Sequence, residues 1–86
     1  MPTLSRFYGI IIQMYYDDHS PPHFHVIYND YKAIIGIHDY RLLFGDLPPK
    51  ALGMAIEWAR AHREELLEDW TRSEKKMKLE PIAPLE

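Results

Sequence analysis

The chain changes its residue grammar at Leu47-Pro48-Pro49. From Arg6 to Phe44 the β-branched and aromatic residues come in short runs separated by turn clusters, the pattern of a strand meander. After Pro48 the apolar residues recur at helical spacing, and only Gly53 interrupts the segment as far as Ser73. Strand text followed by helix text implies an α+β fold in which sheet and helix cover each other. With 86 residues there is room for one core and not for a second. We therefore expect a small N-terminal antiparallel sheet of three to four strands packed against one long C-terminal helix. The domain should occupy residues 1–79, with 80–86 an extended or frayed tail.

The first apolar run, Phe7 to Tyr16, reads as one strand that ends at Asp17-Asp18-His19-Ser20-Pro21-Pro22, because proline cannot continue a ladder. It is about half the roughly 20 residues that a membrane-spanning helix needs, so no span is expected. Asn29-Asp30 lies between the runs His23–Tyr28 and Tyr31–His38 and predicts a two-residue hairpin turn. The register follows: Tyr28 opposite Tyr31, Val26 opposite Ala33, His25 opposite Ile34 and His23 opposite Gly36. Phe24, Val26, Tyr28, Tyr31, Ala33, Ile35 and Ile37 then share the core face. A short fourth strand is expected at Leu42 to Phe44, ending at Gly45-Asp46.

The helix should run from Pro48 to Ser73, since proline is tolerated in a first turn. Leu52, Ala55, Ile56, Ala59, Leu66, Leu67 and Trp70 fall on one stripe, with Glu57, Arg60, Glu64 and Glu68 opposite. Trp58 and Met54 flank the stripe, an apolar edge that suggests a partner. Arg63 falls in mid-stripe, where its guanidinium is expected to snorkel past the sheet edge, pair with Asp39 or Asp46, or reach a ligand anion. The Glu64-Glu65 and Glu68-Asp69 pairs read as exposed. The tail Glu80-Pro81-Ile82-Ala83-Pro84-Leu85-Glu86 cannot continue a helix but suits an extended groove.

Chemistry concentrates in the histidines. His23 and His25 point to one side of their strand, His38 is the diagonal neighbour of His23 across a notch at Gly36, and His19 hangs in the loop just before. As a metal centre, His19, His23, His25 and His38 would offer imidazoles to zinc or a similar divalent transition metal, with Asp17 and Asp18 as further ligands or orienting carboxylates. As a metal-free centre, one of His23 and His25 would take the proton of a ribose 2′-hydroxyl while the other protonates the leaving oxygen, with Arg63, beside His62, as anion anchor. As inert polar occupants of an interface they would do neither. The sequence has no glycine-rich phosphate loop and no nucleophile triad.

The net charge of −3 lacks the basic footprint of general RNA or DNA binding. One local run, Arg72, Lys75, Lys76 and Lys78 against Glu74, sums to +3 and reads most simply as a solvated helix end. There is no cysteine, and Met1 to Arg6 lacks the build of a secretion signal; both suit a cytoplasmic protein.

The opening Met1 to Ile10, the segment Met14-Tyr15-Tyr16-Asp17-Asp18-His19-Ser20-Pro21-Pro22-His23-Phe24-His25 and the helical stretch Glu57-Trp58-Ala59-Arg60-Ala61-His62-Arg63-Glu64-Glu65-Leu66 together resemble the bacterial family called domain of unknown function 4160. The likeness extends to about Leu79. It implies no established activity. It does imply a component of a toxin–antitoxin cassette, encoded beside a small protein of a second uncharacterised family. His19, His23, His25, Trp58, His62 and Arg63 match the family's motif without assigned roles. Two functions are expected to compete: an interaction module that self-associates as a homo-oligomer or binds a small cassette partner, and a histidine-dependent ribonuclease or phosphoesterase. Promoter binding is disfavoured by the acidic charge.

Overall fold

The computed structural model describes residues 3–16 and 21–86. Five antiparallel strands form one meander in the order β1-β2-β3-β4-β5: β1 (Thr3–Phe7), β2 (Ile10–Gln13), β3 (His23–Tyr28), β4 (Tyr31–Gly36) and β5 (Leu42–Gly45). Two helices follow, α1 (Pro49–Ala61) and α2 (Arg63–Glu74). The α+β class and the antiparallel sheet are as expected. The expected count of three to four strands and one helix is corrected to five and two.

Both corrections have local causes. The run from Phe7 is a hairpin rather than one strand, because Tyr8 and Gly9 take φ of 49° and 81° and reverse the chain. Two successive positive-φ residues match the right-handed twist of the flanking strands. The helix breaks at His62, whose φ of −121° and ψ of 28° lie outside the helical region. Arg60 sits in the last turn of α1, and Glu64 and Glu65 in the first turn of α2. That order of charges suits one helix dipole ending and another beginning. His62 Nδ1 lies 2.7 Å from Glu65 Oε1 across the new N-terminus.

The β3–β4 register is the expected one at all four positions: Tyr28↔Tyr31, Val26↔Ala33, His25↔Ile34 and His23↔Gly36. β5 joins β4 with a bulge at Leu43, and its Gly45, at φ 80°, passes so close to β4 that a Cβ would run into the Lys32 carbonyl oxygen. Phe24, Val26, Ala33, Ile35 and Ile37 are buried on one face together with Ile10 and Ile12. Both helices pack on that side through Ala51, Ala55, Ala59 and Leu66.

Trp58 is wholly buried at the centre of this core, with ring centroids 5.6 Å from Phe7 and 6.0 Å from Phe24. Of the apolar edge expected to meet a partner, Trp58 is covered by the chain's own C-terminal segment, while Met54 is half-buried beside Tyr8, Tyr28 and Pro48. Trp58 Nε1 donates to Ala83 O at 2.8 Å, and Ile82 N donates to Leu4 O of β1 at 2.8 Å. Asp69, expected on the exposed face, is also fully buried: its Oδ1 accepts from Glu80 N at 2.9 Å and from Arg72 Nη1 at 2.8 Å. At 100° per residue Asp69 falls five full turns after buried Ala51 and so on the same side, among the buried residues of α2 rather than with Glu64 and Glu68.

Candidate functional site

Because the helices cover one face of the sheet, the other is left for function. Antiparallel partners share a face, so the register writes the open surface as rows. One row crosses four strands as Gln13, His25, Ile34 and Phe44; a second runs Arg6, Ile11, Ile27 and Lys32. Tyr15, just past β2, sets its ring edge-on to His25, with centroids 4.2 Å apart at 89°. Its hydroxyl reaches Gln13 Oε1 at 3.5 Å. Together these make an open cleft of about 270 Å³ whose side-chain walls are Tyr15, His25, Ile27, Lys32, Ile34 and Phe44. Phe44 is 70 % exposed at its rim, and Leu43 extends the apolar surface towards Gly36.

The histidines divide between elements. His23 and His25 are adjacent, ring centroids 5.3 Å apart. His23 is buried against Trp70 of α2 at 5.1 Å, and its Nδ1 donates to Pro21 O at 2.7 Å, which fixes that tautomer. α2 therefore reaches one end of the histidine surface, and His25 alone of the pair lines the cleft. The notch expected at Gly36 is filled: a Cβ there would stand 2.8 Å from Asp39 Oδ1 and 3.7 Å from Leu43. His38 lies in the exposed turn after β4, where Arg63 Nη2 donates to its Nδ1 at 3.5 Å. Arg63 is exposed at the start of α2 instead of buried in a stripe, because the buried arc of the helices is centred nearer Ala55, Leu66 and Ser73 and leaves Arg63 at its edge. Asp39 and Asp46, its expected partners, instead accept from the Arg41 and Leu47 amides at 3.2 and 2.9 Å.

Among the described residues no three His, Asp or Glu side chains gather as a metal-holding group. His19, Asp17 and Asp18, expected to complete such a set, lie outside the described residues. Phe7 belongs to the core: one continuous strand would have put it on the same side as Ile11, and the hairpin at Tyr8-Gly9 inverts that facing.

Sequence reasoning missed Phe44 and Lys32 as surface determinants and Asp69 as a buried anchor. The available signals were the Leu42-Leu43-Phe44 run at an edge and the spacing of Asp69 from Ala51, five helical turns. Asp69 holds the Arg72 guanidinium pKa above its usual value, chiefly by the hydrogen bond between them. Among the described residues no helix is long and apolar enough to cross a membrane.

No curated protein and no solved structure matches the chain significantly. The family model "Domain of unknown function (DUF4160)" matches residues 9–71, a span from the turn of the first hairpin to the last turns of α2 that includes every residue of the open-face rows except Arg6, and the histidines beside them. On that match, which covers most of the chain, the protein belongs to the DUF4160 family.

Proposed function

We propose that this protein is the interaction module of a toxin–antitoxin-like two-gene cassette in the cytoplasm, and that it docks the small protein encoded beside it on the open face of its sheet. The observation that carries the reading is the uncovered surface itself. Ile27, Ile34 and Phe44 line an apolar cleft with Leu43 beside it, and Lys32, Arg6 and Gln13 form its polar border. An apolar centre with a polar rim is the usual anatomy of a protein interface. Tyr15 and His25, edge to face, are rigid side chains that lose little entropy on docking. The cassette partner comes from the family resemblance, and the open face is where such a partner fits.

The test is co-expression with the neighbouring gene's product. Wild-type protein should co-purify with it stoichiometrically, and Ile34→Lys should abolish the complex while leaving the fold intact by circular dichroism. Retention of the partner by Ile34→Lys removes the reading.

A second reading, histidine-dependent RNA or phosphoester cleavage, is favoured by the 5.3 Å spacing of His23 and His25 and by the position of His25 on the cleft. It requires that His25→Ala abolish cleavage of a model RNA, with or without added zinc. It fails if wild type and His25→Ala are equally inactive.

A further inference from the structure

The C-terminal segment after α2 carries a pattern that neither the family match nor the open face uses. Leu79 and Ile82 are buried and Leu85 is half-buried, while residues 80, 81, 83, 84 and 86 are exposed. Burial therefore recurs every third residue, with Pro81 and Pro84 immediately before the second and third buried positions. Three residues per turn is the repeat of the polyproline II helix, and proline fixes the backbone angle that this helix needs.

The groove that receives the segment reads it as such segments are generally read. An aromatic side chain lies alongside, Trp58 Nε1 donates to the Ala83 carbonyl, Asp69 accepts the Glu80 amide, and Leu4 O accepts the Ile82 amide. All three hydrogen bonds go to the backbone of the segment, so specificity rests on the apolar residues at every third position. Ser5 Oγ and Asp69 Oδ2 are buried without a hydrogen-bond partner among the described residues.

The connection between α2 and this segment is conformationally costly. α2 closes with Met77 N bonded to Arg72 O at 2.8 Å and Lys76 N to Ser73 O at 3.2 Å. This is the Schellman arrangement, whose left-handed position is normally glycine. Here it is Lys76, at φ 57°. Returning Lys76 to a helical angle would relieve that conformation, lengthen α2 and carry residues 79–86 away from their own groove.

We infer that the groove bounded by Leu4, Trp58 and Asp69 is a recognition site for proline-spaced extended segments, and that its occupant in trans is the C-terminal segment of a second copy, exchanged reciprocally about Lys76. The second copy is the fitting partner because its sequence is the one already seated in the groove. Exchange conserves every groove contact and removes two left-handed lysines per dimer, the circumstance in which hinge segments swap.

The experiment uses the full chain and two hinge variants. Glycine accepts the left-handed angle and favours the closed monomer, whereas a β-branched residue resists it and favours exchange. Sedimentation of wild type, Lys76→Gly and Lys76→Ile, from ten micromolar to one millimolar, should give dimerisation constants ordered Ile > Lys > Gly. Each step should be roughly fivefold or more, from the cost of the left-handed angle at two hinges.

Dimers formed from isotope-labelled and unlabelled copies should show an intermolecular contact between the Trp58 indole proton and the Ala83 methyl. Equal constants for the three chains, no dimer at one millimolar, or a Trp58–Ala83 contact found only within one chain would each overturn the inference. A dimer abolished by Ile34→Lys and indifferent to Lys76 would assign self-association to the open sheet face instead.

Discussion

Asp69 gives the sharpest prediction, because a buried carboxylate on a helix read as exposed must be structural if the architecture is right. Its Oδ1 joins Arg72 of its own helix to the backbone of Glu80 eleven residues on. Asp69→Ala removes a hydrogen bond from a guanidinium and one from an amide. Hydrogen bonds to charged groups contribute about 1.5–3 kcal/mol, and a buried donor left unpaired costs about 1–3 kcal/mol. Arg72 is only half-buried and water recovers part of its share, so we expect a loss of about 3 kcal/mol. A domain of this size has about 5–10 kcal/mol in total. At about 4–8 °C per kcal/mol, the melting temperature should fall by more than about 10 °C. The assay is thermal and urea unfolding followed by circular dichroism, with Glu68→Ala as the exposed neighbour, expected to stay within about 0.5 kcal/mol. If Asp69→Ala loses less than about 1 kcal/mol, the carboxylate does not anchor the C-terminal segment and the argument from burial is wrong.

Other outcomes follow from the same geometry. Gly45→Ala should cost about 2 kcal/mol or more and speed amide exchange in β5, because the added Cβ meets the Lys32 carbonyl and the backbone sits at φ 80°. Trp58→Phe should cost about 2 kcal/mol and accelerate exchange of the Ile82 amide, through loss of the indole hydrogen bond to Ala83 and of ring volume in the core. Tyr8→Asn should stabilise by about 0.5 kcal/mol in urea unfolding, since asparagine tolerates the left-handed angle and the Tyr8 side chain is exposed.

Much of the sheet was legible because its information is local. Asn29-Asp30 between two alternating runs pins the β3–β4 register, and one register assigns every side chain in both strands to a face. The first hairpin was not legible in the same way. Tyr8-Gly9 lies inside an apolar run, and the preceding strand, Thr3-Leu4-Ser5-Arg6-Phe7, lacks the β-branched density that marks β2. Helical periodicity placed Ala55, Ala59, Leu66 and Trp70 correctly on the buried side. It failed at Arg63 and Asp69, because the buried arc of both helices is centred to one side of the stripe read through Leu52, Ile56 and Leu67, which are only half-buried, and so takes in Trp58 and Asp69 and leaves out Arg63.

The histidine surface was legible as a juxtaposition of His23 with His25. Its surroundings were not, since the Asp39 and Leu43 atoms filling the Gly36 notch and the Trp70 ring against His23 come from elements whose placement depends on tertiary packing.

The open face remains the centre of the functional account, and Phe44 is its most exposed large hydrophobic side chain among the described residues. The most direct measurement is the affinity of the purified protein for the product of the neighbouring gene, by titration calorimetry, for wild type and for Phe44→Lys. The account predicts micromolar or tighter binding by wild type, weakened by Phe44→Lys by about 2 kcal/mol, roughly thirtyfold, with unchanged thermal stability. Binding of equal strength by both chains, or none by wild type, would contradict it.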